Sequence, residues 1–332
     1  MRISFQAPII YRPQVRNNQN RINQMHSSQM SSDTVCFGNA KQDTDFLELS
    51  KKEIFKILYK TIMKSDNILG AGCEAEVYSI PNTKYCVKVF DSEEALHELS
   101  NYMVDIDTNI TQRDKINHVV AKVGDNLAIM KRIEGTTVCD YNLSYEGNKR
   151  ITSAIIKFPM ESFNSLLKQI ANAHKQNMSV DAHFSNIIVS LKDKTFTLID
   201  FNENMLDFPP EPMFAMLKSF VHPFLDETQF FAIVNKILKA GLNEFKPEAT
   251  PSFEIAEYDF VDVFDYVKLI RSSYNDSTSD NIDYHQLKNE FLDLMVLKTR
   301  EINGADVTRE LQGLVSKIEK DIDKYFPVNT SN

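Results

Sequence analysis

The sequence predicts an α+β chain in which a small strand-rich segment is followed by a larger helical one. Two observations carry this reading. Residues 67–90 and 119–131 form short apolar runs at strand spacing, broken by the turn signals Pro81-Asn82 and Gly124-Asp125. After Gly135 the apolar residues recur at helical spacing over most of 158–177 and 210–326. The 332 residues, 42% hydrophobic, suffice for one large or two modest domains with a real core.

The elements follow in order. The first 32 residues hold no Asp or Glu and carry Arg2, Arg12, Arg16 and Arg21 among many Asn, Gln and Ser. Such a segment buries too little apolar surface to offset its ordering entropy, so residues 1–44 read as a disordered arm. Their acid-free, Arg-rich character equally fits a targeting or secretion segment. Residues 45–65 read as an amphipathic helix through Phe46, Leu49, Ile54, Ile57, Leu58 and Ile62. Strands are expected at Glu76–Ile80 and Tyr85–Phe90, a helix from about Ser92 to Val104, and strands at Val119–Val123 and Asn126–Lys131. The first domain then spans 45–135 and a mostly helical one 136–328. Polar loops near 246–252 and 272–283 interrupt the helices.

Composition excludes some functions. The net charge of -9 argues against a dedicated nucleic-acid binder, which shows a basic footprint. No apolar run approaches the roughly 20 residues of a membrane span. Cys36, Cys73, Cys86 and Cys139 form no C-x-x-C pair and read as reduced thiols, which places the chain in the cytoplasm unless the arm exports or targets it.

Residues 69–78 read Leu-Gly-Ala-Gly-Cys-Glu-Ala-Glu-Val-Tyr. This fits G-x-G-x-x-G-x-V, with Gly70 and Gly72 in place and Ala75 at the third glycine. Glycine belongs where backbone must approach phosphates with no side chain between. The pattern also fits a plain hairpin. Lys88 follows in the apolar strand Tyr-Cys-Val-Lys-Val-Phe, where a lysine is costly unless paired. Glu94 and Glu98 share a face of the next helix. Glu98 is the favoured partner, because Leu99, Met103 and Ile106 after it suit packing on the sheet.

Residues 177–189 read Asn-Met-Ser-Val-Asp-Ala-His-Phe-Ser-Asn-Ile-Ile-Val, and 196–202 read Phe-Thr-Leu-Ile-Asp-Phe-Asn. The first resembles the D-x-x-x-x-N catalytic loop of the protein-kinase-like superfamily and the second its D-F-G. The order of Gly-rich turn, strand lysine, hinge, D-x-x-x-x-N and D-F-x agrees, with 93 residues from Lys88 to Asp181 and 19 from Asp181 to Asp200. The resemblance covers roughly residues 67–205. It implies a two-lobed kinase-like fold, with a small antiparallel-sheet N-lobe and a larger helical C-lobe, that binds ATP and Mg²⁺.

It also implies roles. Asp200 and Asn186 would ligate the metal, Asp181 would orient or accept the proton of the attacking hydroxyl, and Lys88, held by Glu98, would grip phosphates. Val77, Cys86, Ile188 and Ile199 would surround adenine. Met130 would be the gatekeeper, and Lys131, Arg132 and Ile133 the hinge. His183 stands where protein Ser/Thr kinases usually carry lysine, and is more like the aminoglycoside and choline phosphotransferases; it would contact phosphate or orient Asp181. Ser179, Val180 and Asn202 depart from H-R-D and D-F-G. Val180 lacks the arginine that answers a phosphorylated activation loop, which leaves constitutive activity or an activating protein partner. The expected function is a kinase acting on a protein hydroxyl. A small-molecule phosphotransferase and a pseudokinase binding module are the alternatives.

Overall fold

The computed structural model describes residues 45–71, 75–140, 143–203, 211–253, 261–274 and 282–328. The arm over 1–44 lies outside these residues. The chain divides into two compact units. The first comprises, among described residues, 45–109 and 120–132; the second takes 110–119 and everything from Ile133 onward. The sequence reading ran the first domain unbroken from 45 to 135. The segment 110–119 instead packs with the second unit, where Ile116 joins its apolar core.

The first unit begins with a short 3-10 turn at Phe46–Glu48, followed by α1 (Lys51–Ile62). Ser50 and Glu53 close a capping box at the start of α1, satisfying donors that a helix N-terminus leaves open. Strands β1 (Ile68–Ala71), β2 (Glu76–Ser79) and β3 (Tyr85–Val89) lead into α2 (Ser92–Asn101), capped by Asp91. The short β4 (Ile106–Asp107) follows. After α3 (Gln112–Ile116) come β5 (Val119–Val123) and β6 (Leu127–Lys131). The antiparallel sheet has the order β1-β2-β3-β6-β5-β4. Its core face carries Tyr78, Tyr85, Val87, Val89 and Ile129, packed with Phe55 and Leu58 of α1 and Leu99 of α2.

One expectation about α2 fails. Tyr102 turns left-handed (φ 55), so the helix ends at Asn101. Met103 consequently leaves the helical register and is 67% exposed, while Ile106 joins the sheet edge in β4.

The second unit starts with β7 (Thr136–Thr137), α4 (Tyr145–Ile156) and α5 (Met160–His174). Next come β8 (Met178–Val180), a 3-10 turn at Phe184–Asn186, β9 (Ile187–Ser190), β10 (Thr195–Leu198) and β11 (Phe201–Glu203). Helices α6 (Pro212–Phe220), α7 (Glu227–Glu244), α8 (Val261–Ser272), α9 (Tyr284–Ile302) and α10 (Thr308–Tyr325) complete it. One face of α5 buries Phe163, Leu166, Leu167, Ile170 and Ala171. That stripe packs against α6, α7, β8 and β10. Among the described residues no helix is long and apolar enough to cross a membrane.

Candidate functional site

In the first unit, strand alternation sorts the expected residues onto one face. Tyr85, Val87 and Val89 enter the core, so Cys86 and Lys88 project from the opposite face. Residues directly across a ladder share a face: Val77 and Ala128 lie opposite Lys88, and Met130 opposite Cys86. Val77, Cys86, Lys88 and Met130 thus stand together, and none belongs to that unit's hydrophobic core. Burial pushes the Cys86 thiol up to about 11. A Cβ built on Gly70 would meet nothing within 4 Å, so packing does not require glycine there. Gly72 lies outside the described residues.

Two expectations in this unit are corrected. The Lys88–Glu98 ion pair is not formed. Glu98 Oε1 accepts a long 3.4 Å hydrogen bond from Asn126 Nδ2, and Oε2 is buried with no hydrogen-bond partner among the described residues. That oxygen sits under the Gly124 turn, where an added Cβ would be 2.9 Å away. The Lys88 ammonium lies 5.6 Å from the Phe90 ring centroid. Glu94, the other candidate, is exposed in the first turn of α2. The second correction concerns the hinge. The Arg132 N–H donates to the Lys84 carbonyl at 2.9 Å, extending the β3–β6 ladder, so it is not open to an adenine. The Arg132 guanidinium donates to Ser79 Oγ at 2.9 Å.

In the second unit, two antiparallel ladders bring the other residues together. Val180 pairs with Phe201 at the end of β8–β11, so Asp181 and Asp200 are the next residues out on the two strands. Ile187 pairs with Leu198 at the end of β9–β10, so Asn186 and Ile199 follow there, joined by Ile199 N–H donating to the Asn186 carbonyl at 2.9 Å. Asn186 Nδ2 donates to the Asp181 carbonyl at 3.1 Å and to Asp181 Oδ2 at 3.2 Å. With its NH₂ spent on Asp181, the amide oxygen is the atom Asn186 can offer a ligand.

Asp200 adopts φ 62, a left-handed conformation that costs a non-glycine residue about 1 kcal/mol or more. It sits between β10 and β11, where an extended residue would simply continue the strand. Aspartate tolerates this region better than most residues. Observed strain of this kind at a carboxylate is a reason to look for function.

His183 caps the 3-10 turn. Its Nδ1 accepts from the Ser185 N–H at 3.4 Å and lies 2.6 Å from Ser185 Oγ. Acceptance at Nδ1 places the ring proton of the neutral form on Nε2. The imidazole lies tilted at 35° against Phe184 with centroids 4.0 Å apart, and Phe184 meets His222 edge-on at 6.1 Å. Ile188 and Ile199 are both half-buried, and Ile133 lies in this unit. Gly135 has φ 152, and a Cβ there would come 2.5 Å from the Val189 carbonyl and 2.7 Å from Ile188 Cγ2. Only glycine allows β9 to pass so close.

The sequence reading missed the residues that hold these strands. Gln169 of α5 bonds the free edge of β10, donating to the Phe196 carbonyl at 3.0 Å and accepting from the Leu198 N–H at 3.2 Å. His118 Nε2 lies 2.9 Å from the Leu198 carbonyl. Asn117 grips Phe201 on both backbone groups, its Oδ1 accepting from N–H at 2.8 Å and its Nδ2 donating to C=O at 3.1 Å. These partners are 27 to 84 positions apart, and nothing local in the sequence marks them.

Among the described residues no group of three or more His, Cys, Asp or Glu side chains could hold a metal ion. A Mg²⁺ site needs less, because phosphates and water complete an octahedron begun by one or two protein oxygens. Asp200 and the Asn186 amide oxygen fit that demand as donors.

No family model matches the chain, and no curated protein matches it. Among solved structures it is similar to the pseudokinase domain of BIR2, an immune regulator of the RLK/Pelle family. The identity is 13%, the match covers 83% of this chain and 90% of that one, and the TM-score is 0.31. A score at that level carries no argument about this chain. The mixed architecture itself, a small antiparallel sheet and a set of helices, is consistent with a kinase-like fold.

Proposed function

We propose that this chain is a kinase-like phosphotransferase that binds ATP and Mg²⁺ and passes the γ-phosphoryl group to a hydroxyl, with a protein Ser or Thr preferred over a small molecule. One observation carries the reading. Two ladders end side by side and gather Asp181, Asn186 and Asp200, with Asn186 bonded to Asp181 through its NH₂.

Asp200 and Asn186 would hold Mg²⁺, which when bound neutralises phosphate charge. Asp181 is exposed, and Asn186 holds one of its carboxylate oxygens. That carboxylate can orient an acceptor hydroxyl and take its proton. The resemblance assigns Lys88 to the phosphates and Val77, Cys86 and Met130 to the adenine. Their common sheet face supports that assignment.

One observation favours a second reading, a binding module without catalysis: Glu98 does not hold Lys88. Incubation with ATP and Mg²⁺, followed by intact-mass measurement of the protein and of candidate acceptors, separates the two. A gain of phosphate on protein or acceptor, lost by about 100-fold or more in Asp181→Ala, supports transfer. Nucleotide binding with no product supports the module.

A further inference from the structure

We infer that Asn117, with His118 beside it, is a positioning residue that fixes the backbone around Asp200 and so sets the direction of its carboxylate. The inference rests on the metal-binding role proposed for Asp200. Among the described residues, strand β10 lies at the edge of its sheet, so one side of its backbone has no strand partner there. Buried edge groups must find partners elsewhere. Here side chains supply them in sequence: Gln169 takes the Phe196 carbonyl and Leu198 N–H, His118 the Leu198 carbonyl, and Asn117 both groups of Phe201. Asp200 lies within the span clamped by His118 and Asn117.

The clamp explains why Asp200 keeps its left-handed conformation. Strained backbone persists only where the surroundings over-determine it. Fixing Leu198 on one side and Phe201 on the other leaves the intervening peptides little freedom. The clamp is itself anchored. A capping box between Thr111 and Asp114 starts α3, Ile116 packs on the second unit's core, and His118 turns left-handed at φ 62 to present its ring. Asn117 is suited to the task because its amide offers an acceptor and a donor in one plane, matching the N–H and C=O of a single residue.

The test uses the full chain and two readouts. Hydrogen exchange at the Phe201 amide reports the clamp directly. The Mg²⁺ concentration needed for half-maximal binding of a fluorescent ATP analogue reports what the clamp does for Asp200. In Asn117→Leu, Phe201 exchange should accelerate at least tenfold and the Mg²⁺ requirement should rise about tenfold, while metal-free nucleotide binding stays as in wild type. If Asn117→Leu does not fold, Asn117→Ala, which removes the acceptor of the Phe201 N–H and the donor to its carbonyl with a smaller side chain, should move both readouts in the same direction. Unchanged Phe201 exchange, or an unchanged Mg²⁺ requirement in a variant whose Phe201 is deprotected, overturns the inference. If wild type shows no metal-dependent nucleotide binding while Asn117→Leu still deprotects Phe201, the phosphotransfer reading falls and the clamp stands.

Discussion

Acid should unfold the second unit through two histidines, and one of them lies beneath the candidate catalytic loop. His222 is 5% exposed, and burial pushes its imidazole down to about 4 from 6.5. Its Nδ1 accepts from the Phe224 N–H at 3.3 Å, which leaves Nε2 to donate to Thr152 Oγ1 at 3.1 Å. Protonation at Nδ1 would break the first bond and bury a charge. His174 is also pushed down to about 4 by burial, and its Nε2 has no hydrogen-bond partner among the described residues.

Between these values and 6.5 the unfolded chain binds more protons than the folded one, so stability rises with pH. The contribution is complete above 6.5 and is lost as pH falls toward about 4. From pH 7.5 to 5.5 each histidine removes about 1.4 kcal/mol, or roughly 3 kcal/mol for the pair. Urea melts at pH 7.5, 6.5 and 5.5 measure this, with His222→Gln and His174→Gln run alongside. Each variant should flatten the pH dependence by about 1.4 kcal/mol over that range. Because His222 touches Phe184, nucleotide binding should weaken in the same window. Stability that is flat from pH 7.5 to 5.5, or an undiminished slope in both variants, refutes the reasoning.

Two substitutions probe the frame. Gly135→Ala forces a Cβ to within 2.5 Å of the Val189 carbonyl at φ 152, so it should cost about 1–3 kcal/mol in urea melts; a cost below about 0.5 kcal/mol would contradict the close approach of β9. Lys298 is fully buried and donates to the Lys246 carbonyl at 2.8 Å and Glu301 Oε2 at 2.5 Å. Lys298→Met should therefore destabilise by about 3 kcal/mol, and adding Glu301→Gln should return part of the loss.

The elements that alternation or helical spacing defines were legible from sequence. The β3 pattern put Lys88 and Cys86 on one face and their neighbours in the core because the side-chain period of a strand is two. The boundary of α2 was not legible. It depends on one left-handed residue, Tyr102, whose ring stacks on Phe55 of α1, a partner distant in sequence. The preference for Glu98 rested on Leu99, Met103 and Ile106 packing on the sheet; Leu99 and Ile106 do so and Met103 does not, yet Glu98 does not reach Lys88. Motif order alone singled out Asp181, Asn186 and Asp200, and the roles given to them rest on the resemblance. The residues that hold the surrounding strands, Asn117, His118 and Gln169, act across long separations, which local patterns do not encode.

Manganese binding tests the central claim most directly. Mn²⁺ can replace Mg²⁺ on oxygen ligands and is visible by electron paramagnetic resonance. With ATP present, wild type should bind Mn²⁺, Asn186→Ala should bind it more weakly, and Asp200→Ala should lose the ATP-dependent signal. An ATP-dependent Mn²⁺ signal of wild-type strength in Asp200→Ala would contradict the account.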